Sequence, residues 1–398
     1  MEPFVLDPHA DVHDQATTLR ELGPVVPVEL PGKVAAWAVT THAAVERVLR
    51  DQCFAKSRRH WRDWQRGDIP FDWPLISWVA VDNMLTADGA DHRRLRTLIS
   101  AAFTNRRVQE LHPRIVAITL DLLNRMADMD GRHIDLKSAL ALPLPLTVIS
   151  ELFGVPTGKR QRLQNLCSTV FDQTISPAQA AAAHQGLHDT LADIVAAKRA
   201  HPADDLTSAL IAARDGHDRL SETELIWTLV LMIGAGYETT TNLITNAVRA
   251  LLTHPDQLAL VTSGRRPWDA VIQETLRWDP PIANMPLRFT TRPVQIQRVR
   301  IPKGKAVLLC FAAAGRDPAQ HGADAGRFDI TRTQRRNLAF GHGPHVCLGA
   351  ALAQLEARIA LPMLFDRYPD LALAVPKSEL EHLPSIVASG LAALPVTY

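Results

Sequence analysis

The chain holds only four cysteines in 398 residues, and they are scattered. Cys53, Cys167, Cys310 and Cys347 form neither a CxxC pair nor a Cys/His cluster, which argues against a disulfide framework and against a zinc site. An excess of charge is also missing. The 43 Lys and Arg against 42 Asp and Glu leave a formal net charge of +1, without the basic surplus of a nucleic-acid binder. The N-terminal "MEPFVLDPHADVHD" carries acids and prolines where a signal peptide would carry basic and then apolar residues, so no membrane anchor and a cytoplasmic location are expected. The longest apolar run, from Leu225 to Gly236 and broken only by Thr228, is too short to span a bilayer. No repeat, low-complexity tract or Gly/Ser linker divides the chain, so a single domain over residues 1–398 is expected. No flavin or iron–sulfur motif is visible.

What remains is the composition of a globular protein, 46% hydrophobic and 21% charged. The run "PVVPVELPGKVAAWAVT" predicts two short strands about a turn at Pro31-Gly32. From His42 to about residue 265 apolar residues recur three and four apart, the helical period. After Pro280-Pro281 β-branched runs predict short strands, helix returns at 350–366, and "SIVASGLAALPV" has a strand-like signature. The expected class is mainly α with small β-sheets.

Three stretches carry chemistry. The first begins with a capping box, Ser221 and Glu224, and continues for about thirty residues, a helical rod of about 45 Å. Its middle, "GAGYETTT", is poor helix-forming material, since Gly234 and Gly236 each cost about 1 kcal/mol relative to Ala. Such glycines let a flat object lie on the helix, while Glu238 and Thr239 supply an acid beside an alcohol. A helix-packing glycine pair with a solvated glutamate is the plainer reading. The second stretch, "ETLR", places Glu274 and Arg277 on one helical face. If exposed, that pair contributes little; if buried, its guanidinium needs further acceptors and becomes a clamp on other backbone. The third, "FGHGPHVCLG", sets Gly341, Gly343 and Gly349 around Cys347 just before a helix. The cysteine could be a small buried hydrophobe, a nucleophile or a ligand. A loop whose amides point at sulfur suits a thiolate ligand of haem iron, and no His-Asp or His-Asn partner set accompanies a nucleophile.

With these three stretches in this order, and with "IPKGKAVLLCFAAAGRDP" between the second and third, nearly the whole chain resembles the cytochrome P450 haem-thiolate monooxygenases of the soluble bacterial type. The resemblance implies that fold, with a long central helix crossing a haem b, and dioxygen as co-substrate. It implies Cys347 as iron ligand, Phe340 shielding the sulfur, and Gly349 in the same loop. His92 and Arg96 of "DHRRLR" would hold one haem propionate, Arg288 and His345 the other. Ala235 and Gly236 would pack on the distal face, and Glu238 and Thr239 would deliver protons there. Glu274 and Arg277 would form the structural clamp. Three departures stand out: Tyr237 where many members have His, Gly315 where Asn is usual, and Asn337 where His is common.

The substrate pocket implied by the resemblance draws on the Trp-rich "FDWPLISWVAVDNML" (Met84 and Leu85), residues 166–171 (Phe171), residues Leu231 to Thr239, "IANMPL" (Ile282, Ala283 and Met285) and "IVASG" (Val387). Its apolar character implies a bulky hydrophobic small molecule such as a steroid, terpenoid or macrolide-like polyketide. Electrons would come from NAD(P)H through a reductase and a ferredoxin or flavodoxin, met by a basic surface of Arg93, Arg94, Arg106, Arg107, Arg335, Arg336 and Arg358. Solvated arginines are the plainer reading of that set. A peroxide-driven peroxygenase and a non-catalytic haem-binding sensor are the alternatives, and the acid–alcohol pair would be surplus to both.

Overall fold

The computed structural model describes residues 2–100, 103–129, 131–171, 175–215 and 220–398, apart from the side chains of residues 170, 171, 177 and 213–215. Eight helices position the site: α1 (Gly89–Ser100), α2 (His112–Ala127), α3 (Pro143–Leu152), α4 (Thr157–Phe171), α5 (Pro177–Ala200), α6 (Glu222–Leu252), α7 (Trp268–Trp278) and α8 (Ala350–Arg367). Among the described residues no single helix is long and apolar enough to cross a membrane.

The 31-residue α6 starts where its cap dictates. The Ser221 hydroxyl accepts from the Glu224 amide at 3.0 Å, and the Glu224 carboxylate accepts from the Ser221 amide at 2.8 Å. From Leu225 to Leu251 most of its side chains are buried on all sides, the signature of a helix running through a core. The helices α2, α3, α7 and α8 share one large apolar cluster with it.

The main sheet has six strands in the order β1-β2-β3-β9-β6-β4, taking β1 (Phe4–Val5), β2 (Val25–Leu30), β3 (Val34–Val39), β4 (Phe54–Ala55), β5 (His133–Asp135), β6 (Asn284–Thr290), β7 (Val294–Ile296), β8 (Val299–Ile301), β9 (Ala306–Cys310), β10 (Ala372–Leu373) and β11 (Pro395–Thr397) along the chain. The β2–β3 hairpin turns at Gly32 and Lys33, both at positive φ. A side chain on Gly32 would meet the Trp73 ring at 2.9 Å, and the Trp73 indole N–H donates to the Pro31 carbonyl at 2.7 Å. The tryptophan-rich segment is thus docked on the hairpin, with Trp61 and Trp73 buried in a second apolar cluster.

Two expectations change. The helical stretch after His42 is interrupted by β4 and β5 and by the irregular segment around Trp73. The closing "SIVASGLAALPV" is mostly not a strand: the Ser385 hydroxyl accepts from the amides of Val387 and Ala388, which turns the chain, and only Pro395–Thr397 pairs as β11. The apolar run there reflects burial rather than a ladder.

Candidate functional site

A cavity of about 570 Å³ lies at the middle of α6, and residues from eight or more separate segments line it. Glycine is required in the loop that carries Cys347. Gly341 and Gly343 sit at φ 69° and 73°, and a side chain on Gly343 would come within 2.7 Å of the Leu49 carbonyl. The Cys347 amide closes the loop on the Phe340 carbonyl at 2.8 Å. Gly349 caps α8 with ordinary φ, and the space beside its Cα is open. Cys347 lies deep in the protein, yet its side chain is accessible, because what it faces is the cavity. Burial pushes its thiol above the ordinary value, while the amides of Gly349 and Ala350 and the Arg96 guanidinium pull the other way. A thiolate there calls for a cation on the sulfur.

On α6, Gly234, Ala235, Gly236, Glu238 and Thr239 line the same cavity. Gly236 lets α3 approach: a side chain there would meet Ile149 at 2.8 Å. The helix does not open at the threonines. The hydroxyl of Thr239 donates to the Ala235 carbonyl at 2.9 Å, and that of Thr241 to the Tyr237 carbonyl at 2.9 Å, along an unbroken α-helix. Burial pushes the Glu238 carboxyl up to about 7, against the opposing pull of Lys137. Glu238 is therefore a group that takes and gives protons near neutrality.

A second end of the cavity is cationic. His92 and Arg96 on α1, Arg288 on β6 and His345 on the cysteine loop all line it, with the His92 and His345 rings 4.1 Å apart. Sequence reasoning missed a fifth member, Lys56. It is buried, donates to the Pro286 carbonyl at 3.0 Å, and is pushed down to about 7 by burial and then by Arg288. Burial, followed by Arg288 and Lys56, drives the His345 imidazole far below its ordinary range. Against these five permanent or potential cations stands Asp88, whose carboxylate is already engaged by the amides of Lys56 and Ser57. The His92 Nε2 is buried without a partner. Buried cations and an orphaned donor are stable only beside an anion, and two carboxylates on a flat macrocycle fit that need. The residues present therefore fit a haem. Nothing in sequence could have flagged Lys56, whose ammonium is placed beside the Pro286 carbonyl, Arg288 and His345, all more than two hundred positions away.

Glu274 and Arg277 are fully buried. The guanidinium binds the Glu274 carboxylate through two nitrogens at 2.8 and 2.7 Å and donates to the carbonyls of Gly315, Ala325 and Arg327 at 2.7–2.8 Å. Of the expected pocket residues, Met84, Leu85, Ile282, Met285 and Val387 line the cavity. Ala283 does not. Its amide donates to the Val387 carbonyl, its carbonyl accepts from the Ala312 amide, and its side chain is buried in the second apolar cluster. The Phe171 side chain lies outside the described residues. In the Trp-rich segment only Trp78 among the tryptophans reaches the cavity, and Phe71 is 84% exposed. Lys137, Ile149, His184 and Trp227 line it without having been expected.

The departures are local. Tyr237 is buried and reaches Ser168 and the Gln164 carbonyl, tying α6 to α4. The Asn337 side chain accepts from the Ala339 amide. Of the seven arginines expected as a basic surface, Arg94, Arg106, Arg336 and Arg358 pair with carboxylates, and Arg93 and Arg107 are exposed with no carboxylate partner among the described residues.

Comparison with known proteins agrees with this geometry. Residues 268–379 match the family model described as "Cytochrome P450". The chain is 44% identical to 2-hydroxy-5-methyl-1-naphthoate 7-hydroxylase of Streptomyces carzinostaticus, covering 100% of this chain and 97% of that one. It is 41% identical to the vitamin D(3) 25-hydroxylase of Pseudonocardia autotrophica, over 97% of this chain and 93% of the other. Among solved structures, testosterone-bound CYP154C4 from Streptomyces sp. ATCC 11861 superposes with a TM-score of 0.97 at 46% identity, over 100% of this chain and 98% of that one.

Proposed function

Because the chain belongs to the cytochrome P450 family and is an oxidoreductase of the monooxygenase kind, we propose that it hydroxylates a bulky, largely apolar small molecule with dioxygen, as one domain of 398 residues acting in the cytoplasm. The observation that carries this reading is the cavity itself, which presents one accessible cysteine and, from the central helix, an acid beside an alcohol. Haem b bound there supplies dioxygen activation, one oxygen atom going to substrate and the other to water at the expense of NAD(P)H.

This chain's residues do the rest. Cys347 holds the iron, and Phe340 packs over the loop. Lys56, His92, Arg96, Arg288 and His345 hold the two propionates. With haem bound, the Thr239 hydroxyl, its proton held by the Ala235 carbonyl, would offer its oxygen as an acceptor in the cavity, Glu238 would hold and hand on the protons that the reaction consumes, and Leu85, Ile282, Met285 and Val387 would exclude water around the substrate. The relatives named above act on, or are bound to, a naphthoate, vitamin D(3) and testosterone, which supports a polycyclic substrate. Electrons arrive from a ferredoxin or flavodoxin with its NAD(P)H reductase. Arg93 and Arg107, exposed and without a carboxylate partner among the described residues, are offered for that contact.

The test separates this reading from a peroxygenase and from a sensor. Ligands found by their displacement of the haem spectrum from a polycyclic library are turned over with a surrogate ferredoxin chain. Product, peroxide and NAD(P)H are then measured together for the parent and for Thr239→Ala. The variant should bind substrate normally yet divert reducing equivalents to peroxide, with product per NAD(P)H falling several-fold. A parent that forms product only from added peroxide, or not at all, refutes the reading.

A further inference from the structure

Lys137 opens the π-helical turn, Lys137–Ala141, that leads from β5 toward α3, and its side chain lines the cavity together with Glu238. The two do not form a direct ion pair. The Lys137 ammonium instead donates to the Leu391 carbonyl at 2.5 Å. Its amide donates to the Asp135 carboxylate at 3.0 Å, and the same oxygen accepts from the Leu394 amide at 2.8 Å. The turn, β5 and the 391–394 segment are thus joined into one wall, of which Lys137 lines the cavity. Its inner side carries the ammonium, while Asp135 and Lys137 are half-buried and Ser138 and His133 exposed on its outer side.

We propose that this wall is the proton inlet of the distal site, with Lys137 as the positioning residue that keeps Glu238 supplied from the Asp135 side. This rests on the monooxygenase reading for its purpose, though not for its chemistry. The ammonium passes a proton through water to the Glu238 carboxylate and becomes an amine. The amine regains a proton from solvent beside Asp135, and no electrons move in either step. Among the described residues, the charged and titratable groups facing Glu238 are Lys137 from the turn, Cys167 from α4 and Tyr237 from its own helix. Those facing Lys137 are Glu238 and Asp135. Lys137 is the only cation among them. Burial lowers its ammonium and raises the Glu238 carboxyl to about 7, bringing donor and acceptor toward each other as a relay requires.

The experiment uses the haem-loaded full chain with Lys137→Gln, which keeps a donor for the Leu391 carbonyl but no charge, and Lys137→Arg, which restores the charge. The protonated-carboxyl infrared band of Glu238, assigned by its loss in Glu238→Gln, is titrated in the resting protein. Product per NAD(P)H is followed against pH in light and heavy water. In Lys137→Gln the band's midpoint should move upward, the solvent isotope effect on turnover should grow several-fold, and coupling should fall at alkaline pH; Lys137→Arg should return the midpoint toward the parent but neither the isotope effect nor the coupling, because a guanidinium keeps its proton, and full recovery of all three in Lys137→Arg overturns the relay. An unmoved midpoint in Lys137→Gln overturns the proposal whether or not the parent turns over. A parent that never couples dioxygen to product overturns the monooxygenase reading alone, since the infrared midpoint still decides on Lys137.

Discussion

Lys56 is a cation that the folded chain buries at a cost. With its ammonium bound to one carbonyl and Arg288 as a neighbour, it has reason to lose its proton unless an anion lies against it. If that anion is a haem propionate, Lys56→Met keeps the apolar stem and removes the ammonium with its bond to the Pro286 carbonyl and its charge-assisted bond to the propionate, the latter contributing about 1.5–3 kcal/mol. Haem transfer to excess apomyoglobin should then run roughly tenfold faster or more, while thermal unfolding of the haem-free chain shows no loss of stability. Equal transfer rates would remove Lys56 from the cradle. The same scale accounts for the missed residues. Cys347 and Glu238 announce themselves through neighbours in sequence, glycines for one and threonines for the other. Lys56 and Lys137 have unremarkable neighbours and matter only for what folding places beside them.

Between elements, the close approach of α7 to the short helix Phe311–Gly315 explains one departure from the family pattern. A side chain on Gly315 would come within 2.0 Å of the Arg277 carbonyl, a backbone atom that cannot swing aside. The Gly315 carbonyl in turn accepts from the Arg277 guanidinium. The residue is small because two helices touch there, not because its backbone conformation demands glycine. Gly315→Ala should therefore destabilise by about 1–3 kcal/mol despite the better helix propensity of Ala, read as a lower midpoint in urea unfolding. A stability gain would mean the helices separate freely. That the threonines leave α6 closed is explained at this scale too. Each hydroxyl is taken up by the carbonyl one turn back, so the ladder persists, and glycine at 236 is occupied by the packing of Ile149.

Across the whole molecule, the Glu274–Arg277 pair fastens α7 to the segment that runs toward the cysteine loop. The guanidinium reaches three carbonyls between residues 315 and 327, and the Glu274 carboxylate accepts from the Asp329 amide at 2.9 Å. With no solvent to replace a lost partner, Arg277→Lys should fail nearly as badly as Arg277→Ala. An ammonium cannot span the carboxylate and three carbonyls at once. The cost is about 3–5 kcal/mol, checked as a collapse in soluble yield and in haem retained per chain. Full haem loading in Arg277→Lys would show that the pair's charge matters and its planar fork does not.

The sequence by itself determined the long capped helix, the hairpin, the strand-rich stretch after Pro281 and the cysteine loop, because caps, periodicity and glycines are local signals that tertiary contacts here reinforce. It also brought out the motifs at Cys347, Glu238 and Glu274, each a pattern within a few residues. Only the tertiary structure decided which way Ala283 faces, since a one-residue alternation along an irregular edge turns one neighbour to the cavity and the next to the core. It alone decided that Trp61 and Trp73 are core residues, that four of the seven surface arginines are matched by carboxylates, and that Lys56 and Lys137 both line one largely apolar cavity. Those facts depend on which distant segments share a desolvated space, and desolvation is what gives a lone charge its meaning.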